Sequence, residues 1–336
     1  MRIALIIPVF KHRRSGNEIT ARRYARILRS LGHGVNLGCE YTGTRCDLMI
    51  ALHARRSFGP IHEFRKLHSG LPLILVLTGT DLYQDIRRSS RARMAMEMAD
   101  RLVVLQSMAL QEVPGEFRSR ITVIHQSAEG MRRPAFPPSH IFRICVAGHL
   151  RPVKDPFRAA MAARALPEDS RIRIDHVGAA LTTRMGLTAR KHEQRSARYR
   201  WLGERPHWQT KRLIAASHLL AITSRIEGNS NVLCEALALG TPVVASRIAG
   251  NMGTLGTDYP GYFPVGDSRR LTELISRCES DAGFYRMLKS KCEELAHQVD
   301  PAREAESWRD LIDQFAGTSR GHLIHRPVAA PGERLP

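Results

Sequence analysis

The feature that most limits the fold is an alternation of strand-like and helix-like segments that runs twice along the 336-residue chain. Residues 2 to 8 (RIALIIP) read as an apolar strand, the loop HRRSGNEIT follows, and Ile19 to Leu31 carries helical spacing before Gly32. Further strands are expected near 47 to 52 (DLMIAL), 73 to 77 (LILVL), 101 to 105 (RLVVL) and 121 to 124 (ITVI). Residues 128 to 140 (AEGMRRPAFPPSH) contain three prolines and no periodicity, which marks a linker. A second series follows, at 142 to 147, 172 to 177, 199 to 202, 218 to 223 and 242 to 246, alternating with helices near 156 to 166, 180 to 195 and 207 to 215. The expected fold class is therefore α/β, with two facing Rossmann-like, doubly wound domains at 1–138 and 139–316 and a deep cleft between them. Final helices at 268 to 279, 284 to 297 and 302 to 316 close the second domain, and the last can cross back to the first. From Gly317 onward (317–336) the chain reads as a disordered tail.

A 43% hydrophobic content is enough for two buried cores. The apolar stretch after Met1 is too short to span a bilayer and has no small-residue cleavage site, so a cytoplasmic protein is expected. The six cysteines show no C-x-x-C pair or zinc spacing and read as reduced, mostly buried thiols, Cys234 included. The formal charge of +19 and pI near 10.5 would suit nucleic acid, an anionic membrane or an anionic substrate. Of the 51 basic residues 44 are arginine, spread through both halves, and aromatics are only 6%, so no nucleic-acid partner is expected. The densest run, Arg87, Arg88, Arg91 and Arg93 before Met94, could lie on a membrane surface but reads better as a solvated face, so membrane contact is not expected.

The chemistry gathers at the ends of strands. In Thr223 to Ser246 two carboxylates, Glu227 and Glu235, stand eight residues apart around a helix start: Asn229 or Ser230 is the N-cap, Val232 to Leu239 the helix, and Gly240 the C-cap. Unpaired N–H groups there suit a diphosphate, with Ser224, Asn231 and Val232 beside it and the two carboxylates accepting from hydroxyls on either side. The turn GHLRPVKDP, with Asp155 as N-cap and Pro156 as first helical residue, brings His149, Arg151 and Lys154 to a strand end. Cations at that position can neutralise a leaving diphosphate without a metal, and no Asp-x-Asp pair sits on a clear loop, so no metal or cofactor is expected.

Ser15 and Gly16 sit between the first strand and its helix, where backbone N–H groups can approach phosphate or simply turn the chain. The loop Ala249 to Gly253, with Gly250, is open to the same two readings. HARRS and TGTDLY follow strands of the first half. Arg55 and Arg56, with Thr80 and Asp81, could hold an anionic acceptor, and either arginine could equally cap a helix or pair with a carboxylate.

The E-x7-E pair, the G-x-L-x-x-x-K pattern at Gly148 to Lys154 and the Gly16 loop resemble the retaining GT-B glycosyltransferases of the family 4 type. His149 stands where many members have an arginine. Over nearly the whole chain to about residue 315, the segments RSGNEITARR, ALHARRS, LTGTDLY, VIHQSA, GHLRPVKDP, RYRWLGE, SRIEGNSN and DYPGYFPVGD resemble the selenosugar synthases of the selenoneine pathway. Departures are EGNSN, where a glycine and an alanine are expected in the middle, and Ala249, where proline is expected. The resemblance implies a selenium–carbon bond formed from a UDP-sugar, UDP-N-acetylglucosamine, and selenophosphate supplied by a selenophosphate synthetase. It assigns the diphosphate to Lys154 and Arg151, the sugar to Glu227, the ribose to Glu235 and the acceptor side to Arg55, Arg56 and Thr80. A family 4 transferase with an oxygen acceptor, or a basic binding protein on the same scaffold, are the alternatives.

Overall fold

A computed structural model of the chain describes residues 1–8, 16–131 and 135–316. Ser15, three residues of the expected linker and the expected tail lie outside the described residues. The first half is a parallel six-stranded sheet of β1 (Arg2–Ile6), β2 (Gly34–Gly38), β3 (Leu48–Leu52), β4 (Leu73–Val76), β5 (Arg101–Val104) and β6 (Ile121–Val123) in the order β2-β1-β3-β4-β5-β6. Helices α1 (Gly16–Ser30), α2 (Phe58–Leu67) and α3 (Ser90–Met98) connect its strands. The second sheet holds β7 (Phe142–Ala147), β8 (Ile172–Val177), β9 (Tyr199–Gly203), β10 (Leu219–Ile222), β11 (Val243–Ser246) and β12 (Tyr262–Phe263), also all parallel, in the order β12-β11-β10-β7-β8-β9. Around it lie α4 (Arg158–Arg164), α5 (Thr183–Arg195), α6 (His207–Ala215), α7 (Asn231–Ala238), α8 (Ala249–Leu255), α9 (Ser268–Ser280) and α10 (Ala282–Leu295). A last helix, α11 (Pro301–Ala316), ends the described chain.

The period-two geometry of strands explains why these sequences form covered sheets. All five residues of β3, LMIAL, are buried. Met49 and Ala51 join the core beneath α2 and α3, whereas Leu48, Ile50 and Leu52 join the core beneath α1 and α11. A run apolar on both faces can rest only in a sheet with helices on both sides. At the edge, β2 (GVNLG) is partly exposed and bounded by glycines, which is why its apolar pattern is too short to read.

Helix α11 belongs in sequence to the second half but packs on the first. Trp308, Leu311, Ile312 and Phe315 complete the core with Ile3, Leu5 and Leu28, and the Trp308 ring meets Tyr24 of α1 edge to face at 4.7 Å. One turn deeper the contact is polar. The Arg23 Nε donates to both oxygens of Glu304, at 2.9 and 3.2 Å, and its Nη groups donate to Gln126 Oε1 (2.6 Å) and Asn231 Oδ1 (3.0 Å). Ser127 adds its backbone N–H and hydroxyl to Glu304 Oε2. One guanidinium thus joins α1, the strand end after β6, α7 and α11.

The Arg23 and Glu304 side chains are only 11% and 1% exposed, so removing one leaves the other as an uncompensated buried charge. Arg23→Met is expected to cost about 3–5 kcal/mol. Arg23→Met with Glu304→Leu should recover a large part of it, read as the shift of the urea unfolding midpoint. Equal midpoints for wild type and Arg23→Met would show that the network contributes nothing.

Candidate functional site

Each sheet reverses its strand order once, between β1 and β3 in the first and between β7 and β10 in the second. Crevices outside the carboxyl ends of strands at such points accept ligands because neighbouring loops diverge there. The two loops at the second reversal are those that carry Lys154 and Glu227. They are tied together: the Thr223 hydroxyl donates to the Lys154 and Asp155 carbonyls (2.9 and 3.0 Å), and the Arg225 N–H donates to the Val153 carbonyl (2.8 Å). Asp155 is not the N-cap expected from sequence. It adopts a left-handed φ of 43°, its carboxylate accepts from Arg158 (3.1 Å), and α4 begins only at Arg158 after Phe157.

This arrangement turns the Lys154 ammonium onto Glu227 Oε1, and the Ser224 hydroxyl donates to the same oxygen at 2.6 Å. Glu227 is 8% exposed. Arg151, by contrast, is exposed at the start of the short Pro152–Lys154 turn. The segment Ala249 to Gly253 is not the loop expected: it forms most of α8, and a Cβ on Gly250 would lie 2.0 Å from the Glu227 carbonyl oxygen. Glycine is therefore required for contact, and Gly250 supports Glu227 from behind instead of presenting a free phosphate loop.

As the sequence indicates, Glu227 precedes α7 and Glu235 lies in its second turn, with Gly240 at φ 68° just past the helix end. Ser230 is the N-cap by position, yet its side chain makes no capping bond, and its Oγ is buried without a partner among the described residues. Glu235 Oε2 is likewise buried and unpartnered, while Oε1 meets His207 Nε2 at 2.7 Å. Two unsatisfied buried oxygens on one short helix are unusual enough to point to a polar ligand. His207, the first residue of α6, was not among the residues that sequence reasoning singled out. Asn231 Oδ1 is held by Arg23, and its amide reaches the Gly16 carbonyl at 3.5 Å, so the start of α1 and the start of α7 face each other. Val232 packs on the second core. Cys234 is an inert neighbour, its thiol pushed up to about 12 by burial.

The halves touch at the backbone. A Cβ on Gly228 would lie 2.7 Å from the Thr78 carbonyl, and one on Gly79 would lie 3.0 Å from the Gly228 nitrogen. The expected cleft is thus bridged beside Glu227, and the TGTD turn of the first half lies against the Glu227 loop. Asn229 adds a stitch, donating from Nδ2 to the Leu105 carbonyl at 3.0 Å and accepting from the Thr254 hydroxyl. That bond explains an asparagine in the middle of EGNSN.

Of the expected acceptor residues, Thr80 Oγ1 meets His53 Nε2 at 3.1 Å. Asp81 is corrected: it is fully buried, and its carboxylate accepts from the Thr78 N–H and hydroxyl and the Ala54 N–H, so it braces the turn and faces no cleft. Arg55 takes its second reading, pairing with Asp85 at 3.0 Å, and Arg56 is exposed beside it. His53, buried at a left-handed φ of 75° between Asp81 and Asp85 (4.0 and 3.9 Å), is a further candidate from the quoted ALHARRS segment. The Arg87–Met98 run does not present a bare basic face, because Arg87 pairs with Glu112 and Arg93 with Glu116 and Glu97. Among the described residues no helix is long and apolar enough to cross a membrane.

Residues 131–295 match the family described as Glycosyl transferases group 1. The match takes in just under half of the chain. The whole fold is similar to HepE of Anabaena, solved with UDP and with UDP-glucose, at 18% identity over 94% of this chain and 100% of that one (TM-score 0.74). It is also similar to sucrose-phosphate synthase of Thermosynechococcus elongatus (15%, 94% and 99%, TM-score 0.77) and to a trehalose 6-phosphate synthase of Burkholderia multivorans (12%, 94% and 79%, TM-score 0.68). The architecture is GT-B.

Within the matched segment the Lys154 loop is braced from below. His176 on β8 is buried: Nε2–H donates to the Gly148 carbonyl (3.1 Å), and Nδ1 accepts from the Tyr199 hydroxyl (2.9 Å). His149 Nδ1 accepts from the Ala179 N–H at 3.1 Å, which fixes the ring on the strand end. A Cβ on Gly178 would strike the Gly148 carbonyl at 2.0 Å, so the two strand ends are in backbone contact.

Burial pushes His176 down to about 4. The unfolded chain takes up this proton near 6.5 and the folded protein only near 4, so the contribution is intact above pH 6.5 and is lost as pH falls through that window. The loss amounts to about 3 kcal/mol at most. The pH dependence of the unfolding midpoint between pH 6.5 and 4 should be flatter in His176→Gln than in wild type, and identical slopes would exclude this origin.

Proposed function

We propose that the chain is a glycosyltransferase that binds a UDP-sugar, UDP-N-acetylglucosamine, and joins its anomeric carbon to the selenium of selenophosphate. The observation that carries the donor half is the Lys154–Glu227–Ser224 cluster at the reversal point of the second sheet, next to the uncapped start of α7. In this reading the diphosphate rests on the N–H groups of Asn231 and Val232 with Gly16 opposite. Lys154 and Arg151 neutralise the departing UDP, assisted by His149, and Glu235 holds the ribose while Glu227 orients the sugar. The unpartnered Glu235 Oε2 supports the ribose role, since a buried carboxylate oxygen calls for a donor. His207 keeps the other oxygen aligned.

The acceptor half rests on the sequence blocks ALHARRS, LTGTDLY and DYPGYFPVGD and on the placement of TGTD against the Glu227 loop. Selenophosphate is anionic, and Arg55, Arg56 and Thr80 lie on its side of the contact. Its selenium attacks the anomeric carbon as the bond to the β-phosphate oxygen breaks, and UDP leaves with the electron pair. Water then cleaves the selenium–phosphorus bond, releasing phosphate and the selenosugar. A polarisable anion needs positioning more than deprotonation, which suits a site richer in cations than in free bases. We place the reaction in the cytoplasm, with selenophosphate coming from a selenophosphate synthetase and no metal or cofactor required.

A second reading, transfer to a hydroxyl, draws on His53, whose ring lies beside two carboxylates and could accept a proton. UDP release from UDP-N-acetylglucosamine, measured with and without selenophosphate, separates the two. Stimulation by selenophosphate, with selenium recovered in the sugar product, is expected, and an unchanged rate would remove the selenium reading. Lys154→Ala should lower kcat at least about tenfold, a loss of about 1.4 kcal/mol of transition-state stabilisation. An unaltered kcat would remove Lys154 from its role.

A further inference from the structure

Beyond the α8 contact lies a second concavity, of about 520 Å³, between the two halves. Ser107 and Met108, which follow β5, and His125, which follows β6, form its first-half wall; Met252 of α8 forms the opposite wall, and His297 and Arg303 flank the entry into α11. It contains none of the residues assigned to the donor or acceptor. Gly250, at the start of α8, touches Glu227, whereas the pocket takes in the far end of that helix, and seven helical residues rise about 10 Å. Gly253, which lines the pocket, packs against the Gln106 side chain, where a Cβ would lie 1.8 Å from the amide oxygen.

The chemistry of the lining is one-sided. Arg303 forms no ion pair with any carboxylate of the described residues, and it shares the lining with His125, which feels its charge, and with His297, whose Nδ1 donates to the Glu294 carbonyl at 2.7 Å. The single lining carboxylate, Glu304, has both oxygens engaged by Arg23 and Ser127. A fixed cation beside a neutralised carboxylate gives a positive local field, and Met108 and Met252 add apolar lining from the two halves. The volume lies within the range of small-molecule sites.

We propose that this cavity is a second ligand site, for a small phosphomonoester: the phosphate on Arg303 with His297 and His125, the remainder against Met108 and Met252. An occupant there touches segments of both halves and α11 at once. It clamps the seam from the side opposite Glu227, and through Glu304 and Arg23 it rests on the same network that holds Asn231 at the start of α7. Occupancy therefore favours the arrangement in which the halves are in contact, and the site is regulatory. This holds whatever acceptor the enzyme uses.

Calorimetric titration of the full chain with glucose 6-phosphate, in the presence of saturating UDP and with glucose as a control, tests the assignment. Glucose 6-phosphate is expected to bind under saturating UDP and to raise the unfolding temperature, and glucose is not. Arg303→Ala, an exposed position whose loss leaves the core intact, should weaken binding at least about tenfold, while Arg303→Lys keeps part of it. Lys154→Ala should bind the probe as wild type does. Displacement of the probe by UDP, equal binding of glucose, an unchanged Kd in Arg303→Ala or no binding at all would each overturn the proposal.

Discussion

The Arg23–Glu304 pair is the interaction on which the rest of the molecule depends. It links a helix of the first sheet to the last helix of the chain, and the same guanidinium reaches Asn231, where the carboxylate-bearing helix begins. Hydrophobic contacts alone, such as those around Trp308, would leave α11 free to slide on a smooth surface. A charge buried among three fixed partners permits one register only, because any shift would leave the ion without compensation. The positions of Gly16 against Asn231 and of Gly79 against Gly228 follow from that register.

The Lys154–Glu227 pair belongs to a different class. A largely buried ion pair is a weak source of stability, since desolvation offsets most of the attraction. Its cost is best understood if the lysine is held ready for a second, stronger anion and the glutamate for hydroxyl donors. The strained Asp155 and the unpartnered oxygens of Ser230 and Glu235 lie in the same region. Such atoms occur elsewhere among the described residues too, but their coincidence here with a left-handed Asp155 is a reason, separate from any resemblance, to look for a ligand in this region.

Much of this was legible in the sequence for a simple reason: parallel strands covered on both faces are continuous apolar runs, and loops at their ends carry the chemistry. Lys154 and Glu227 could be placed because each follows such a run within a few residues. Other features depended on partners far away in the chain. His207 meets a glutamate 28 residues on, and Arg23 meets one 281 residues on, distances at which no local spacing carries information. Helix α8 was hidden by its own glycines, which suggest a loop but serve contact with Glu227 and Gln106. Asp155 has the composition of an N-cap, and only the hydrogen bonds from Thr223 to its peptide reveal why it turns left-handed instead.

The crossing of α11 bears on how the protein comes into being. A sheet whose face is completed by Trp308 and Phe315 keeps Ile3, Leu5 and Leu28 partly uncovered for as long as those last residues are still inside the ribosome. The second sheet, with its own helices, can close earlier, so the half that is made first is the half that is finished last. A product cut short before α11 would have one ordered half and one adhesive half, and such a product is a natural client for chaperones.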